Sequence, residues 1–138
     1  MKSVHLYLYF DGNTEEAFQY YQSVFGGSLG TVTRYGDLKG MGSLSEAEQQ
    51  KIAHIALPLT EHFSLHGSDA SQAIGQSDVS GRNCYVQVFA ESREEAERLF
   101  RQLAQGGEVY RAMQDMPWGG YYGSLMDKFG IQWMVQVA

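Results

Sequence analysis

Four histidines and one cysteine are the side chains of this sequence best suited to metal binding or proton transfer. His5, His54, His62 and His66 carry the imidazoles, and Cys84 carries the thiol. Imidazole titrates near neutral pH, and both groups are common ligands of transition metals. His54 lies in an apolar run, where a structural role and a ligand contact are both open, and His62 lies at a turn. Because no Ser-His-Asp or Cys-His arrangement is legible from the spacing, we assign no catalytic residue.

A second group of candidates is aromatic and lies in a glycine-rich stretch. Trp118, Tyr121 and Tyr122 stand among three glycines between positions 119 and 123. Large rings on flexible backbone suit a lid or a groove rim that stacks on an apolar ligand. The same rings could instead cover the core or a subunit interface, and the sequence does not decide between these roles.

The elements that position these residues occur twice. Residues 7–17 read YLYFDGNTEEA, and residues 86–96, which lie 79 positions later, read VQVFAESREEA. Both segments pass from an apolar strand into a helix that ends at a Gly-Gly pair. Two copies of one module in a single domain predict a groove between them, where a ligand would bind.

Each copy is predicted to contain a strand, a helix and three further strands, from its apolar periodicity. The predicted strands cover residues 4–10, 29–35, 51–59 and 62–68 in the first copy and 83–89, 108–113, 120–126 and 131–137 in the second. The predicted fold class is therefore α+β, with tandem βαβββ modules that form a curved sheet groove. We expect a single domain over 1–138, with module 1 at 4–69, a connector at 70–81 and module 2 at 82–138.

Local signals predict how the helices start and which residues are structural. Asn13 and Ser92 are the predicted N-caps, each followed three residues later by a glutamate. Asp127 is predicted to form a hairpin turn, and Trp133 is predicted to lie in the core.

Alternation along the strands predicts which side chains line the groove. His5, Tyr7 and Tyr9 fall on the face away from the helix. The repeat aligns Cys84 with His5 and Phe89 with Phe10. It also leads us to expect Val86 and Val88 on the groove side of the second copy.

Composition limits the class of partner. The chain has 138 residues, of which 43% are hydrophobic, and a formal net charge of −6. Its ten basic residues are scattered, so we predict no nucleic-acid partner. No apolar run approaches the roughly 20 residues of a membrane span, and we predict no membrane contact. The N-terminus lacks a signal-peptide pattern, and a single cysteine forms no internal disulfide, so we predict a cytoplasmic location.

Short motifs that span nearly the whole chain carry a family resemblance. They are FDGN at 10–13, EA at 16–17, YY at 20–21, FGG at 25–27, IAH at 52–54, GSD at 67–69, MQDMPWG at 113–119 and DKFGIQWM at 127–134. Together they resemble the glyoxalase, bleomycin-resistance and dihydroxybiphenyl dioxygenase superfamily, also called the vicinal oxygen chelate fold. The closer match is to its PhnB-like or YjdN-like branch, often labelled a 3-demethylubiquinone 3-methyltransferase domain. The run at 116–118 departs from the Thr-Phe-Trp typical of relatives, and no glycine-rich turn suited to S-adenosylmethionine supports methyltransferase chemistry.

The resemblance implies where a metal would bind in this chain. In metal-dependent members, four strand positions converge on one ion, and here they map to His5, Cys84, Met134 and either Leu65 or His66. Met134 stands where glyoxalase I carries a glutamate. A hard divalent ion prefers histidine and carboxylate ligands, and this set contains no carboxylate. We therefore predict no catalytic metal and no other cofactor, although a soft metal at His5 and Cys84 stays open.

The sequence thus favours a protein that binds a small apolar or amphipathic ligand and pairs as a homodimer, as superfamily relatives commonly do. The predicted ligand-binding residues are His5, Tyr7, His66, Cys84, Trp118, Tyr121, Tyr122 and Met134. The alternative is a divergent metal-dependent lyase or dioxygenase of the same superfamily. A third class, a dimeric interaction protein without a ligand, also stays open.

Overall fold

The computed structural model describes residues 3–71, 81, 84–117 and 119–137. The chain divides into two compact units, Met1–Ser80 and Gly81–Ala138. Each unit contains a four-stranded mixed sheet and one long helix, so the predicted α+β class is confirmed. Among these residues, no helix is long and apolar enough to cross a membrane.

The first unit places four strands in one sheet. Its elements are, in chain order, β1 (Leu6–Phe10), α1 (Thr14–Phe25), β2 (Thr33–Arg34), a 3-10 turn (Tyr35–Asp37), α2 (Glu46–Gln50), β3 (Ile52–Pro58) and β4 (Ser64–Asp69). The strand order is β1-β4-β3-β2, with β1 parallel to β4 and the other neighbours antiparallel. Because successive side chains of a strand point to opposite faces, only one face of this sheet packs against α1.

The core of the first unit lies between α1 and that face. Its fully buried side chains include Phe18, Tyr21, Ile55, Leu57 and Leu65. Gly67 on β4 lets the helix approach the sheet, because a Cβ atom at this position would lie 2.5 Å from Cε1 of Phe18. Any larger residue would overlap the ring, so the spacing between helix and sheet depends on this glycine.

The start of α1 is capped by a residue distant in the sequence. Asn13 occupies the N-cap position, as predicted, but its side chain makes no capping hydrogen bond. Instead, Oδ1 of Asp69 accepts hydrogen bonds from the backbone N–H of Thr14 (3.0 Å) and from its hydroxyl (2.6 Å). Oδ2 of Asp69 accepts from the N–H of Ile52 (2.8 Å). This buried carboxylate therefore joins α1, β3 and β4 through charge-assisted hydrogen bonds.

The second unit repeats the arrangement with one helix. Its elements are β5 (Val86–Phe89), α3 (Arg93–Ala104), β6 (Glu108–Asp115), β7 (Tyr121–Met126) and β8 (Gln132–Val137). The strand order is β5-β8-β7-β6, with β5 parallel to β8 and the other neighbours antiparallel. The predicted cap of α3 is confirmed, because the hydroxyl of Ser92 accepts a hydrogen bond from the N–H of Glu95 (3.1 Å).

The core of the second unit extends from α3 to the turn between β7 and β8. Leu103, Leu125, Trp133 and Val135 are fully buried. Oδ1 of Asp127 accepts from the N–H groups of Phe129 (2.9 Å) and Ile131 (3.0 Å), and Oδ2 accepts from the indole N–H of Trp133 (2.8 Å). Both predictions, a turn at Asp127 and a core position for Trp133, are confirmed.

The first strands of the two units correspond with an offset of 80 residues (86 − 6) rather than 79. β1 pairs Leu6 with Leu65, and β5 pairs Val86 with Trp133. Leu65 and Trp133 are both fully buried against their helices. Val86 therefore takes the place of Leu6 on the helix side, and Val88 follows it, contrary to the prediction that both face away.

The same shift separates two phenylalanines that the repeat had aligned. Phe10 is 2% exposed, whereas Phe89 is 60% exposed. The helices keep an offset of 79 residues (93 − 14), since α1 begins at Thr14 and α3 at Arg93. Counted from the equivalent residues Phe10 and Ala90, α3 begins one residue sooner than α1 does. Phe89 therefore takes the place of Tyr9 and lies on the face away from its helix.

One predicted strand is shorter than expected, and one predicted segment lies mostly outside the described residues. A strand was predicted over residues 29–35, but β2 contains only Thr33 and Arg34. Its pairing with β3 shifts register between these two residues, and the chain then enters the 3-10 turn. Most of the predicted connector at 70–81 lies outside the described residues.

Candidate functional site

The candidate site is the face of the first sheet that points away from α1, called here the open face. It carries His5 just before β1, Tyr7 and Tyr9 on β1, His54 on β3 and His66 on β4. Tyr7 lies directly opposite His66 in the sheet. Tyr7 and Tyr9 are each 44% exposed, while His54 and His66 are partly buried. Three imidazoles and two phenol rings therefore share one face.

The three imidazoles lie close together. Nε2 of His54 and Nδ1 of His66 are 2.9 Å apart, so a proton on either nitrogen makes a hydrogen bond. The ring centroids of His5 and His66 are 5.2 Å apart. Nδ1 of His5 accepts a hydrogen bond from the backbone N–H of Ser64 (3.1 Å), which places the proton of neutral His5 on Nε2.

Burial and neighbouring histidines favour the uncharged form of His66. Burial lowers the pKa of His66, and His54 and His5 lower it further because like charges repel. A neutral imidazole both donates and accepts a hydrogen bond, so neutral His66 offers polar contacts without a charge.

The phenol rings provide an apolar surface beside the imidazoles. The Tyr7 ring lies almost parallel to that of His66, at 11° with 6.3 Å between centroids, and 5.1 Å from the Tyr9 ring. Tyr35 is buried nearby, and its hydroxyl donates to the carbonyl of Asp69 (2.9 Å). Burial raises the pKa of Tyr35, and Tyr7 and Asp69 raise it further. Tyr35 is thus a structural hydrogen-bond donor, and Tyr7 and Tyr9 present the exposed rings.

Strand register resolves the choice between Leu65 and His66. Leu65 is fully buried, so His66 is the residue on the open face. In the second unit, the pairing of β5 with β8 makes Met134 the counterpart of His66 and Tyr85 the counterpart of His5. The prediction that aligned Cys84 with His5 is therefore wrong by one residue.

Cys84 lies beside this position, is exposed and forms no disulfide. Its backbone carbonyl accepts a hydrogen bond from Nε2 of Gln132 (3.0 Å), and Oε1 of Gln132 accepts from the hydroxyl of Tyr110 (2.9 Å). In the hydrogen bond with Gln132, Cys84 thus takes part through its main chain.

The predicted aromatic rim divides between the two faces of the second sheet. The Tyr121 hydroxyl donates to Oε1 of Glu97 (2.8 Å), and the guanidinium carbon of Arg93 lies 4.3 Å from the centroid of the Tyr121 ring, so this ring lies on the α3 side. Tyr122 is the next residue of the strand and points to the other face. The prediction that both rings line one groove is corrected accordingly, and Trp118 lies outside the described residues.

The positions that would hold a metal do not fit a hard divalent ion. By strand register they are His5 and His66 in the first unit and Tyr85 and Met134 in the second. None is a carboxylate, and such ions prefer histidine with carboxylate ligands. Within the described ranges, no three His, Cys, Asp or Glu side chains are grouped so as to hold a metal ion.

Sequence reasoning did not include His54 and Tyr9 among the ligand-binding residues. The hairpin of β3 and β4 could have indicated His54, because its register pairs Ala56 with His66. That register puts the even-numbered residues of both strands on one face. Tyr9 could have been included by the alternation that selected Tyr7. His62 lies at the turn, as predicted, with a side chain that is 87% exposed.

A separate cavity of about 440 Å³ lies at the start of α1. Arg34 contributes to its lining and bonds both carboxylate oxygens of Glu15 (3.1 and 3.0 Å) and the carbonyl of Gln50 (2.7 Å). Lys51 is paired with Glu48 (2.9 Å). Because this lining is polar and its cations are paired, it suits an apolar ligand less well than the open face does.

Comparisons with known proteins agree with this arrangement. The chain matches the family model described as the Glyoxalase/Bleomycin resistance protein/Dioxygenase superfamily over residues 3–135. It is 29% identical over 137 residues to Protein YjdN of Escherichia coli (strain K12), covering 95% of this chain and 92% of that one. Its structure is similar to protein PA1353 from Pseudomonas aeruginosa, with a TM-score of 0.83 and 33% identity over 98% of this chain and 96% of that chain. It is also similar to the PhnB protein from Bacillus cereus, with a TM-score of 0.78 and 25% identity over 98% of each chain. The chain therefore belongs to the glyoxalase/bleomycin-resistance/dioxygenase superfamily, in its PhnB-like and YjdN-like branch.

Proposed function

We propose that this protein binds a small apolar or amphipathic organic molecule on the open face without a catalytic metal. The observation that carries the proposal is the cluster of aromatic rings there. Tyr7 and Tyr9 are each 44% exposed, and Tyr7 lies parallel to His66. Ligand sites are mostly apolar and aromatic with a few polar groups that set orientation, and this face has that composition.

The position of the rings on strands supports a binding role. Side chains on β1 and β4 are held by the ladder that pairs these strands, so they are more rigidly placed than loop residues. Aromatic rings bind planar apolar groups by stacking. In the second unit, Tyr122 and Met134 face away from α3 and stay within the proposal. Tyr121 and the Cys84 side chain are left out, and Trp118 stays a sequence prediction.

We further propose that the protein acts as a homodimer in the cytoplasm. Large apolar side chains are exposed in both units, including Tyr7 and Tyr9 in the first and Phe89 in the second. Exposed apolar surface of this kind marks ligand or protein contacts, and a second copy of the chain would cover the part around Phe89. The single cysteine, Cys84, forms no disulfide within the chain, which suits a reducing compartment.

One observation favours a second candidate, a divergent metal-dependent lyase or dioxygenase. His5, His54 and His66 are close together on one face, and imidazole is a common ligand of transition metals. Elemental analysis of the purified protein separates the two functions. The second candidate requires about one metal ion per chain that a His5→Ala variant loses.

Replacement of Tyr7 by alanine tests the binding function. The probe is N-phenyl-1-naphthylamine, a neutral aromatic amine whose fluorescence rises in apolar surroundings. We expect Tyr7→Ala to weaken probe binding roughly fivefold, since one stacked ring is worth about 1 kcal/mol beyond its buried area. Because Tyr7 is 44% exposed, thermal stability should change little.

Tyr121→Ala is the matched control, because it removes a ring of the same size from the helix side of the other sheet. Its affinity for the probe should equal that of the wild type. Equal binding by wild type and Tyr7→Ala, or an equal loss in both variants, would contradict the proposal.

A further inference from the structure

We infer that the imidazole cluster of the open face binds a carboxylate, or a comparable oxyanion, of the amphipathic ligand, an inference that rests on the proposed function. His5 and His66 each use Nδ1 in a hydrogen bond within the protein. Nε2 of each ring has no hydrogen-bond partner among the described residues. Two ring nitrogens on one face are therefore available to a ligand.

Both nitrogens can act as donors without a change in charge. The backbone N–H of Ser64 occupies Nδ1 of His5, so the proton of the neutral ring is on Nε2. When His54 donates from Nε2 to Nδ1 of His66, the proton of His66 is likewise on its Nε2. The two rings are 5.2 Å apart between centroids. A carboxylate has acceptor oxygens only, so it complements two N–H donors.

The side chains around His66 also suit an anion. The titratable side chains that face it are His5 and Tyr7 from the β1 side of the sheet and His54 from β3. None of them is a carboxylate. Asp69 of the same strand points to the other face, where Thr14 and Ile52 donate to it. An oxyanion on this part of the open face would therefore meet no acidic side chain of these strands, although the chain as a whole carries a net charge of −6.

A matched pair of ligands tests this inference by isothermal titration calorimetry. The pair is 2-naphthoate and 2-naphthamide, which share one aromatic framework and differ in charge. We expect 2-naphthoate to bind roughly tenfold more tightly than 2-naphthamide in the same buffer, because hydrogen bonds to a charged acceptor are about twice as strong as those to a neutral one. If the two compounds bind equally, the inference is overturned while the binding function stands.

Histidine variants locate the anion. His66→Phe and His5→Phe each remove an N–H donor and keep a ring, so each should weaken 2-naphthoate binding roughly tenfold and leave 2-naphthamide binding nearly unchanged. His62→Phe is the control, because the His62 side chain is 87% exposed at the turn between β3 and β4, and it should behave as wild type. If 2-naphthoate binding is unchanged in both cluster variants, or falls equally in His62→Phe, the inference fails. Failure of both ligands to bind would contradict the binding function itself.

Discussion

Two buried aspartates fix the local geometry of the two units. Asp69 is 3% exposed and Asp127 is 1% exposed. Each carboxylate accepts at least three hydrogen bonds, in one unit from a helix start and a strand and in the other from a turn and an indole. Hydrogen bonds to a charged acceptor are stronger than neutral ones, and loss of the acceptor leaves buried donors unsatisfied.

Replacement of Asp127 by alanine should therefore destabilise the protein. The change leaves the indole N–H of Trp133 and two backbone N–H groups without their acceptor. We expect the free energy of unfolding to fall by about 3 kcal/mol, measured by urea denaturation. Asp115→Ala is the control, since its side chain is 70% exposed and pairs with Arg93 at the surface. A loss of equal size in the two variants would contradict this role of Asp127.

At the scale of elements, the two long helices begin in different ways. α3 is capped locally by the hydroxyl of Ser92, whereas α1 is capped by Asp69 from β4. A local cap depends on the residue beside the helix, and a distant cap depends on the folded sheet. Similar sequence signals therefore have different energetic weight in the two units.

Alanine variants of the two cap positions should show this difference. Ser92→Ala should lower the free energy of unfolding by about 1 kcal/mol, as is usual for loss of a capping hydroxyl. Asn13→Ala should change it by less than about 0.5 kcal/mol, because the Asn13 side chain makes no capping hydrogen bond. Equal losses in chemical denaturation would show that Asn13 does cap α1 in solution.

At the scale of the whole molecule, each sheet has one face covered by its own helix. The opposite faces carry exposed rings, with Tyr7 and Tyr9 in the first unit and Phe89 in the second. Such surfaces account for both proposed properties, ligand binding and pairing of two chains. The polar cluster of His5, His54 and His66 lies on the open face of the first unit.

A charged substitution at Phe89 should disrupt the proposed homodimer. We expect the wild type to be a dimer in light scattering at micromolar concentration. Phe89→Glu should shift it to the monomer, because Phe89 is 60% exposed and a buried charge there would lack a partner. Leu38→Glu is the control, since Leu38 is 42% exposed but lies outside the strands. A wild type that is monomeric, or a dimer that withstands Phe89→Glu, would contradict this interface.

The sequence by itself determined much of the architecture. The repeat predicted two copies of strand, helix and further strands, and alternation predicted that Tyr7 and Tyr9 lie on the face away from the helix. Local chemistry predicted the Ser92 cap and the Asp127 turn correctly. The motifs also indicated the superfamily, which the family model confirms. These features depend on neighbours in the chain, which a sequence pattern records directly.

Only the tertiary structure decided how residues from different strands meet. It made Tyr85 rather than Cys84 the counterpart of His5. It also placed His66 rather than Leu65 on the open face, within hydrogen-bond distance of His54. Periodicity gives the parity of side chains within one strand, but the register between strands is set by pairing and by the length of each connection. Because α3 begins one residue sooner after its strand than α1 does, the faces that the repeat assigned to the side chains of β5 are reversed. No pattern within β5 reveals that change.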